Sequence, residues 1–544
     1  MKSGFFLGKK NKKCYNIYMK SESQYIAENI ELHKRIQELE RMLFIANQKI
    51  DEQNKEILSL REQLDIKTAK IFVPSTETES FLQIDEAEGI LEEEKKENSS
   101  KKGVKKNKRY SADELEKKVS RIEYIDPEEK VCPKCGEELV EASSSISYKL
   151  VYHKGFLEVV KVIRRNYKCP RCNGVDNKLY SRKLDDPFPR SLMTPSLAAF
   201  ILNAKFVLGV PFERISNFIM EKLGVPMSKQ VLAHAAESSA LLLSHIVERM
   251  KEDLLSAQAI HADETTLVIS RKPESDKDRK KSYMFVYLPS FYSPYQMAIY
   301  SFNKTRSIGK TKELLEKYNG YLICDDYAGY KSIAKDNPNI KLQYCFSHAR
   351  RRFVDILKSM KQENRKGTIS YQMVSYIDQI FEMERKYRKE GLTPDEILEH
   401  RKAEHPPILS KIEKLMKETV TQPGTSLDRA MSYIRDNFVN MKTYLESGYV
   451  EVSNNAAERC VKPFVVLRKV FQTCGSYDGA SFTGDLFTLI RSAMINGLDP
   501  QAYLEYCLCH YADTPVENLL PYHRELKEKF PLKQVPFSYL HAFL

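Results

Sequence analysis

Two CxxC knuckles, Cys132 with Cys135 and Cys169 with Cys172, limit what this chain can fold into more sharply than any other stretch. Gly136 and Gly174 follow them closely and permit the tight backbone turn that wraps a bound ion. Four thiolates converging on one point make the tetrahedral donor set of structural zinc. The run from Tyr148 to Val162 between the knuckles alternates like a β-hairpin, as a zinc ribbon over residues 129–184 requires. A pair of redox motifs would need a thioredoxin-like βαβ setting, and none surrounds them. His153, inside the hairpin, is either an additional ligand or a solvent-facing residue. The other seven cysteines are mostly embedded in apolar or helical runs, a pattern suited to a reducing compartment.

Upstream, a seven-residue register places Asn29, Ile36, Leu43, Ile50, Ile57 and Leu64 on one seam and Leu32, Leu39, Ala46, Gln53, Leu60 and Lys67 on the other. Such seams predict a coiled coil over residues 19–70, and with it a homodimer. The rival is a long helix packed on its own domain. Residues 71–128 turn acidic at Glu92, Glu93, Glu94 and Glu97, then basic from Lys101 to Arg109, with almost no apolar side chains. That composition predicts a charged disordered linker.

A chain of 544 residues holds several domains. Its net charge of +12 suits a polyanionic partner such as nucleic acid, although plain solubility has the same sign. No window approaches the roughly 18 apolar residues of a membrane span, and Phe5-Phe6-Leu7 is too short for a signal peptide. A cytoplasmic protein without membrane partners is expected.

Residues 185–256 read as helices. Thr194-Pro195 is a cap with a first-turn proline, Gly224 to Pro226 breaks an apolar stripe, and Ser228 starts the next helix. Helix, glycine turn, helix is the plan of a DNA-reading helix-turn-helix and also of helix pairs that never meet DNA. From residue 257 the pattern becomes strand-like at 259–269, 284–288 and 297–302. A helix at 310–318 follows, then strands at 321–325 and 342–346. This is the order of a ribonuclease-H-like sheet. The fold class expected is therefore α/β: a ribonuclease-H-like core over 257–500 with a helical insertion at about 354–447, preceded by the coiled coil, the zinc ribbon and the helical segment. A helix from Asp485 to Asn496 and a helical tail at 501–544 complete it.

Asp263 sits inside an apolar strand and Asp325 ends another. Carboxylates in such places are costly without a cation partner. Joined by a third acid, Glu458, they would hold two magnesium ions for phosphoryl transfer. Each has a plainer reading: the aspartates as turn or strand-end residues, and Glu458 as the far member of a capping box opened by Asn455. Asn454 and Asn455 read as helix-start residues, and Pro463 as a bend or restart of the helix.

The stretches His261–Thr265, Asp325–Tyr330, Phe346–Phe353, Ser453–Arg459, and Arg468-Lys469 through Gly475-Ser476 resemble, in that order, the blocks of the insertion-sequence-66 family of transposases. The resemblance spans nearly the whole chain. It implies a DDE transposase whose metal-binding triad is Asp263, Asp325 and Glu458, 62 and 133 residues apart. Asp326 stands where family members usually carry glycine, which leaves a swap of roles with Asp325 open, and strand register favours Asp325. The chain also has no tryptophan, and His234 occupies a position filled by one elsewhere in the family.

The resemblance implies DNA, both element ends and target, as the partner, with Mg2+ or Mn2+ at the acids, Zn2+ at the cysteines, and accessory proteins of the same element. DNA contacts are expected from His348, Arg350, Arg351, Arg459, Lys462, Arg468 and Lys469, and the work from a nucleoid-associated protein. The other readings are an inactive or domesticated DNA-binding relative and a ribonuclease-H-like repair nuclease.

Overall fold

The computed structural model describes residues 30–50, 53, 112–153, 155–171, 179–182, 186–272, 281–306 and 313–532. Cys172, most of the linker and the remaining heptad positions lie outside them. Residues 30–50 form helix α1, on which Ile36, Leu39, Leu43 and Ile50 are exposed. Among the described residues no helix is long and apolar enough to cross a membrane.

After the short helix α2 (Ala112–Glu116) comes a sheet of β1 (Arg121–Ile125), β2 (Val140–His153), β3 (Phe156–Lys168) and β4 (Leu179–Tyr180). The β2–β3 hairpin is longer than the alternation at 148–162 suggests, because its knuckle end is polar on both faces and shows no period-2 signal. Its register brings Val140 opposite Lys168. The hairpin thus closes the sequence gap between the knuckles, and Leu139 and Tyr167 pack with Cys132 and Cys169 in a separate small core.

Helices α3 (Pro195–Phe206), α4 (Phe212–Leu223), α5 (Lys229–Leu242) and α6 (Ser244–Leu255) follow. Thr194 caps α3 by accepting from the Leu197 N–H, and Ser228 caps α5. Gly224 ends α4 at φ 61°, a left-handed conformation that costs glycine nothing.

The central sheet contains β5 (Ala259–Ile269), β6 (Ser282–Pro289), β7 (Ile299–Asn303), β8 (Gly320–Cys324) and β9 (Ile340–Tyr344) in the order β7-β6-β5-β8-β9. The first three strands pair antiparallel, and β8 and β9 run parallel to β5. Helix α7 (Ala328–Asp336) makes the crossover from β8 to β9. The last strand ends earlier than its apolar run. Cys345 caps α8 (Phe346–Lys358), so Phe346 begins a helix instead of ending a strand.

Four helices then follow, the last of them packed against β9: α9 (Ile369–Glu390), α10 (Pro394–Glu404), α11 (Pro406–Glu418) and α12 (Ser426–Met441). The chain returns in α13 (Asn455–Phe471), a short strand β10 (Thr473–Cys474) beside the end of β5, and α14 (Tyr477–Ile495). Helices α15 (Pro500–His510) and α16 (Arg524–Lys529) close the described chain. Pro463 neither ends nor restarts α13, which runs through it. Helix α14 starts at Ser476, earlier than expected at Asp485. Ser476 supplies the cap to Gly479, a signal masked by the small residues of its first turns.

Helix α14 also solves an edge problem. Strand β7 is terminal in the sheet, and its outer N–H groups would be buried without partners. Thr488 and Ser492 accept from the N–H groups of Tyr300 and Ala298 at 2.9 and 3.0 Å. The approach is so close that a Cβ on Gly484 would lie 2.7 Å from the Tyr300 carbonyl oxygen, so only glycine fits there.

Candidate metal-ion and DNA site

The parallel register of β5 with β8 runs from Ala259 opposite Tyr321 to His261 opposite Ile323. Carried two residues further, it sets Asp263 level with Asp325, where parallel strands end and open sheets place ligands. Asp325 accepts from the Tyr327 N–H at 3.0 Å, and Asp263 from the Glu264 N–H at 2.9 Å. Burial pushes the Asp263 carboxyl up to about 7; the Glu264 N–H opposes this, and the charges of Glu264, Asp325 and Glu458 reinforce it. The charges of Asp325 and Glu458 thus reach Asp263, but among the described residues the three carboxylates do not form a group with ligand atoms within 4.8 Å of one another.

Glu458 does not turn back on its own helix. Asn454 is the N-cap of α13 and makes no side-chain cap bond, so the capping box is not formed. Instead Arg351 of α8 donates to Glu458 Oε2 at 2.9 Å. His348 Nε2 stands 3.6 Å from Oε1, beyond hydrogen-bond length. Glu458 Oε1 and His348 Nδ1 are buried and have no hydrogen-bond partner among the described residues. Ligand atoms of Cys345, His348 and Glu458 lie within 4.8 Å of one another. The unsatisfied carboxylate oxygen of Glu458 is a donor of the kind a hard divalent cation takes. The Cys345 sulfur is already used, accepting the Asn454 backbone N–H at 3.0 Å. Burial lowers the His348 pKa, against the pull of Glu458 and Asp325.

The two neighbouring acids have other partners. Asp326 pairs with Lys331 at 2.5 Å. Glu264 accepts from Arg306 Nε at 3.0 Å and Nη2 at 2.6 Å, and from the Tyr330 hydroxyl at 3.0 Å.

Sequence reasoning missed a buried polar layer directly behind the acids. His261 is fully buried, with Nε2 2.5 Å from Glu451 Oε2 and Nδ1 3.1 Å from Asn454 Oδ1. Arg388 of α9 also pairs with Glu451. Burial alone would raise the Glu451 carboxyl, but His261 and Arg388 outweigh it and hold it well below the usual range. A histidine two residues before Asp263 in an otherwise apolar strand was the available signal.

The basic residues divide by use. Arg350 forks onto Asp378 at 2.6 and 3.1 Å, joining α8 to α9. Arg468 donates to the Thr266 hydroxyl at 2.6 Å and fastens α13 to β5. Lys462 and Lys469 are exposed. Arg459 has no ion-pair partner among the described residues and lines a cleft of about 620 Å³ with Arg350, Arg351, Arg385 and Arg388, next to Glu458.

At the knuckles, Cys135 and Cys169 have their sulfurs 3.5 Å apart, and ligand atoms of Cys132, Cys135 and Cys169 fall within 4.8 Å of one another. The Lys134 N–H, with that of Cys135, lowers the Cys132 thiol to about 6 against desolvation. Three convergent sulfurs fit zinc. His153 lies at the opposite end of the hairpin, 2.6 Å from Glu158, and is not a ligand of this cluster.

Residues 190–482 match the family model described as Transposase IS66 family, and residues 129–173 match the zinc-finger binding domain of transposase IS66. Uncharacterized protein y4jD of Sinorhizobium fredii is 26% identical over 411 residues, 72% of this chain and 76% of that protein. Protein y4hP of the same organism is 28% identical over 407 residues, 71% and 70% respectively. Among solved structures, the Drosophila P element transposase strand transfer complex covers 60% of this chain and 94% of that chain, at 10% identity and a TM-score of 0.27. That likeness is too slight to inform the fold.

Proposed function

Because the chain belongs to the IS66 transposase family, we propose that it cuts DNA at the ends of its mobile element and joins the freed 3′-hydroxyls to target DNA. What supports this reading is the parallel β5–β8 register, which carried on sets Asp263 beside Asp325, together with Glu458 on α13 packed against β5. The strand order β7-β6-β5-β8-β9, with one antiparallel half, supports a ribonuclease-H-like core.

Asp263, Asp325 and Glu458 would hold Mg2+ or Mn2+. When bound, such ions polarise the scissile phosphate and lower the pKa of the attacking water. Arg351 grips one oxygen of Glu458 and leaves the other free to face the site. His348, beside Glu458, is set to donate a hydrogen bond to a phosphate oxygen. Arg459, Lys462 and Lys469, with Arg385 of the cleft, would grip the DNA backbone. Arg350 and Arg468 hold their helices in place and contribute to DNA contact through that placement.

Cys132, Cys135, Cys169 and Cys172 form the zinc site in this reading. The exposed apolar side chains of α1 support a coiled-coil homodimer that brings two element ends together. Incubation of the full chain with candidate element ends and Mg2+ tests the proposal. Joined as well as cut products are expected, and cutting without joining would point to a nuclease instead.

A further inference from the structure

Asn454 is completely buried at the start of α13, yet it does not cap that helix. Its amide Nδ2 donates to the Ala262 carbonyl at 2.7 Å, and its Oδ1 faces His261 Nδ1 at 3.1 Å, both on β5. Its backbone N–H donates to Cys345 Sγ at 3.0 Å, at the start of α8. A single residue thus ties α13, four positions before Glu458, to β5 beside Asp263 and to the helix that carries His348 and Arg351. Behind it His261 continues to Glu451, and Glu451 to Arg388 in the helical insertion. Among the described residues the first turn of α13 has no other side-chain hydrogen bond to β5; Arg468, the next one, acts near the far end of the helix.

From this juxtaposition we infer that Asn454 is a positioning residue, the pin that sets Glu458 in register with Asp263, and that the His261–Glu451–Arg388 chain braces the pin against the insertion. The inference rests on the metal-site reading above and goes beyond it by naming what aligns the site. An amide suits the task because it offers a donor and an acceptor in one plane to two successive β5 residues. Losing it leaves the Ala262 carbonyl and the His261 ring unsatisfied in a buried place, and the first turn of α13 free to shift.

The test compares full-length Asn454→Ala with Gln343→Ala. Gln343 is an equally buried amide that ties β9 to Met441 and Tyr444 and not to β5 or α13. Three quantities are read: melting temperature, its rise on adding Mn2+ alone, and single-turnover cleavage of DNA ends at saturating DNA. Both variants should melt earlier. Asn454→Ala should also lose most of the Mn2+-induced rise and cleave about 100-fold more slowly, the scale expected for an ångström of misplacement. Gln343→Ala should keep both responses when measured below its melting temperature.

If Asn454→Ala retains the wild-type Mn2+ response and rate, or if both variants fall together, Asn454 is merely structural and the inference is overturned. Should Asn454→Ala not fold, Cys345→Ala, which removes the acceptor of the Asn454 N–H together with its contacts to the Ser347 and His348 N–H groups, is read by the same two criteria. A wild-type chain that neither binds Mn2+ nor cleaves would instead defeat the underlying functional reading.

Discussion

Arg351 donates to Oε2 of Glu458 at 2.9 Å, while Oε1 of the same carboxylate is buried with no hydrogen-bond partner among the described residues. The guanidinium therefore fixes the carboxylate's plane without using up both oxygens. Arg351→Ala should slow single-turnover cleavage about tenfold, equivalent to 1.4 kcal/mol, with Arg351→Lys recovering only part. An unchanged rate in the alanine variant would remove this orienting role.

The Asp263 carboxyl gives a pH dependence whose sign can be worked out. Its folded value of about 7 lies above the ordinary 3.8, so between those limits the folded chain binds more protons than the unfolded chain. Stability of the metal-free protein should therefore be greatest below that window and fall as pH rises through it, by about 4 kcal/mol at most. Asp263→Asn should flatten this slope and raise the metal-free melting temperature at pH 8. Melting curves at several pH values in a chelator, with and without the substitution, check both statements.

Zinc removal should act locally. The small core of Leu139 and Tyr167 depends on the sulfurs it packs against, whereas the main core does not include it. Chelation, or Cys169→Ser, should release the zinc and raise hydrogen exchange at the Val140 and Lys168 end of the hairpin. Protection in the central sheet should remain. Concerted loss of protection throughout would contradict this separation.

Arg401 in α10 is fully buried and forks onto Glu384 of α9 at 2.7 Å to each oxygen, with further bonds to the carbonyls of Tyr444, Ser447 and Val450. It closes the helical insertion onto the segment that leads to Glu451. Arg401→Ala leaves a buried carboxylate without its charge partner and should cost about 3–5 kcal/mol in chemical denaturation. A loss below 1 kcal/mol would mean the pair is not buried in solution.

What was legible in the sequence was mostly local. The zinc knuckles show in their spacing, Thr194 and Ser228 in their cap positions, and Asp263 and Asp325, as candidates, in the apolar runs around them. What stayed hidden depends on distant partners. Asn454 read as a helix-start residue because its partner His261 is 193 residues away, and Glu451 drew no notice because its pairing spans 190. Glu458 has the same local pattern whether it caps its own helix or reaches Arg351, and only the packing of α8 against α13 decides. Pro463 is tolerated in α13 although local rules argue against it.

The central claim is that Asp263, Asp325 and Glu458 form one metal-dependent site for cutting and joining DNA. The most direct measurement compares the full chain with Asp263→Ala, Asp325→Ala and Glu458→Ala on labelled element ends with Mg2+, scoring DNA binding, cut ends and joined products together. The predicted result is that each variant still binds the ends but yields neither cut nor joined DNA. A variant that cuts at the wild-type rate would contradict the claim and take that acid out of the site.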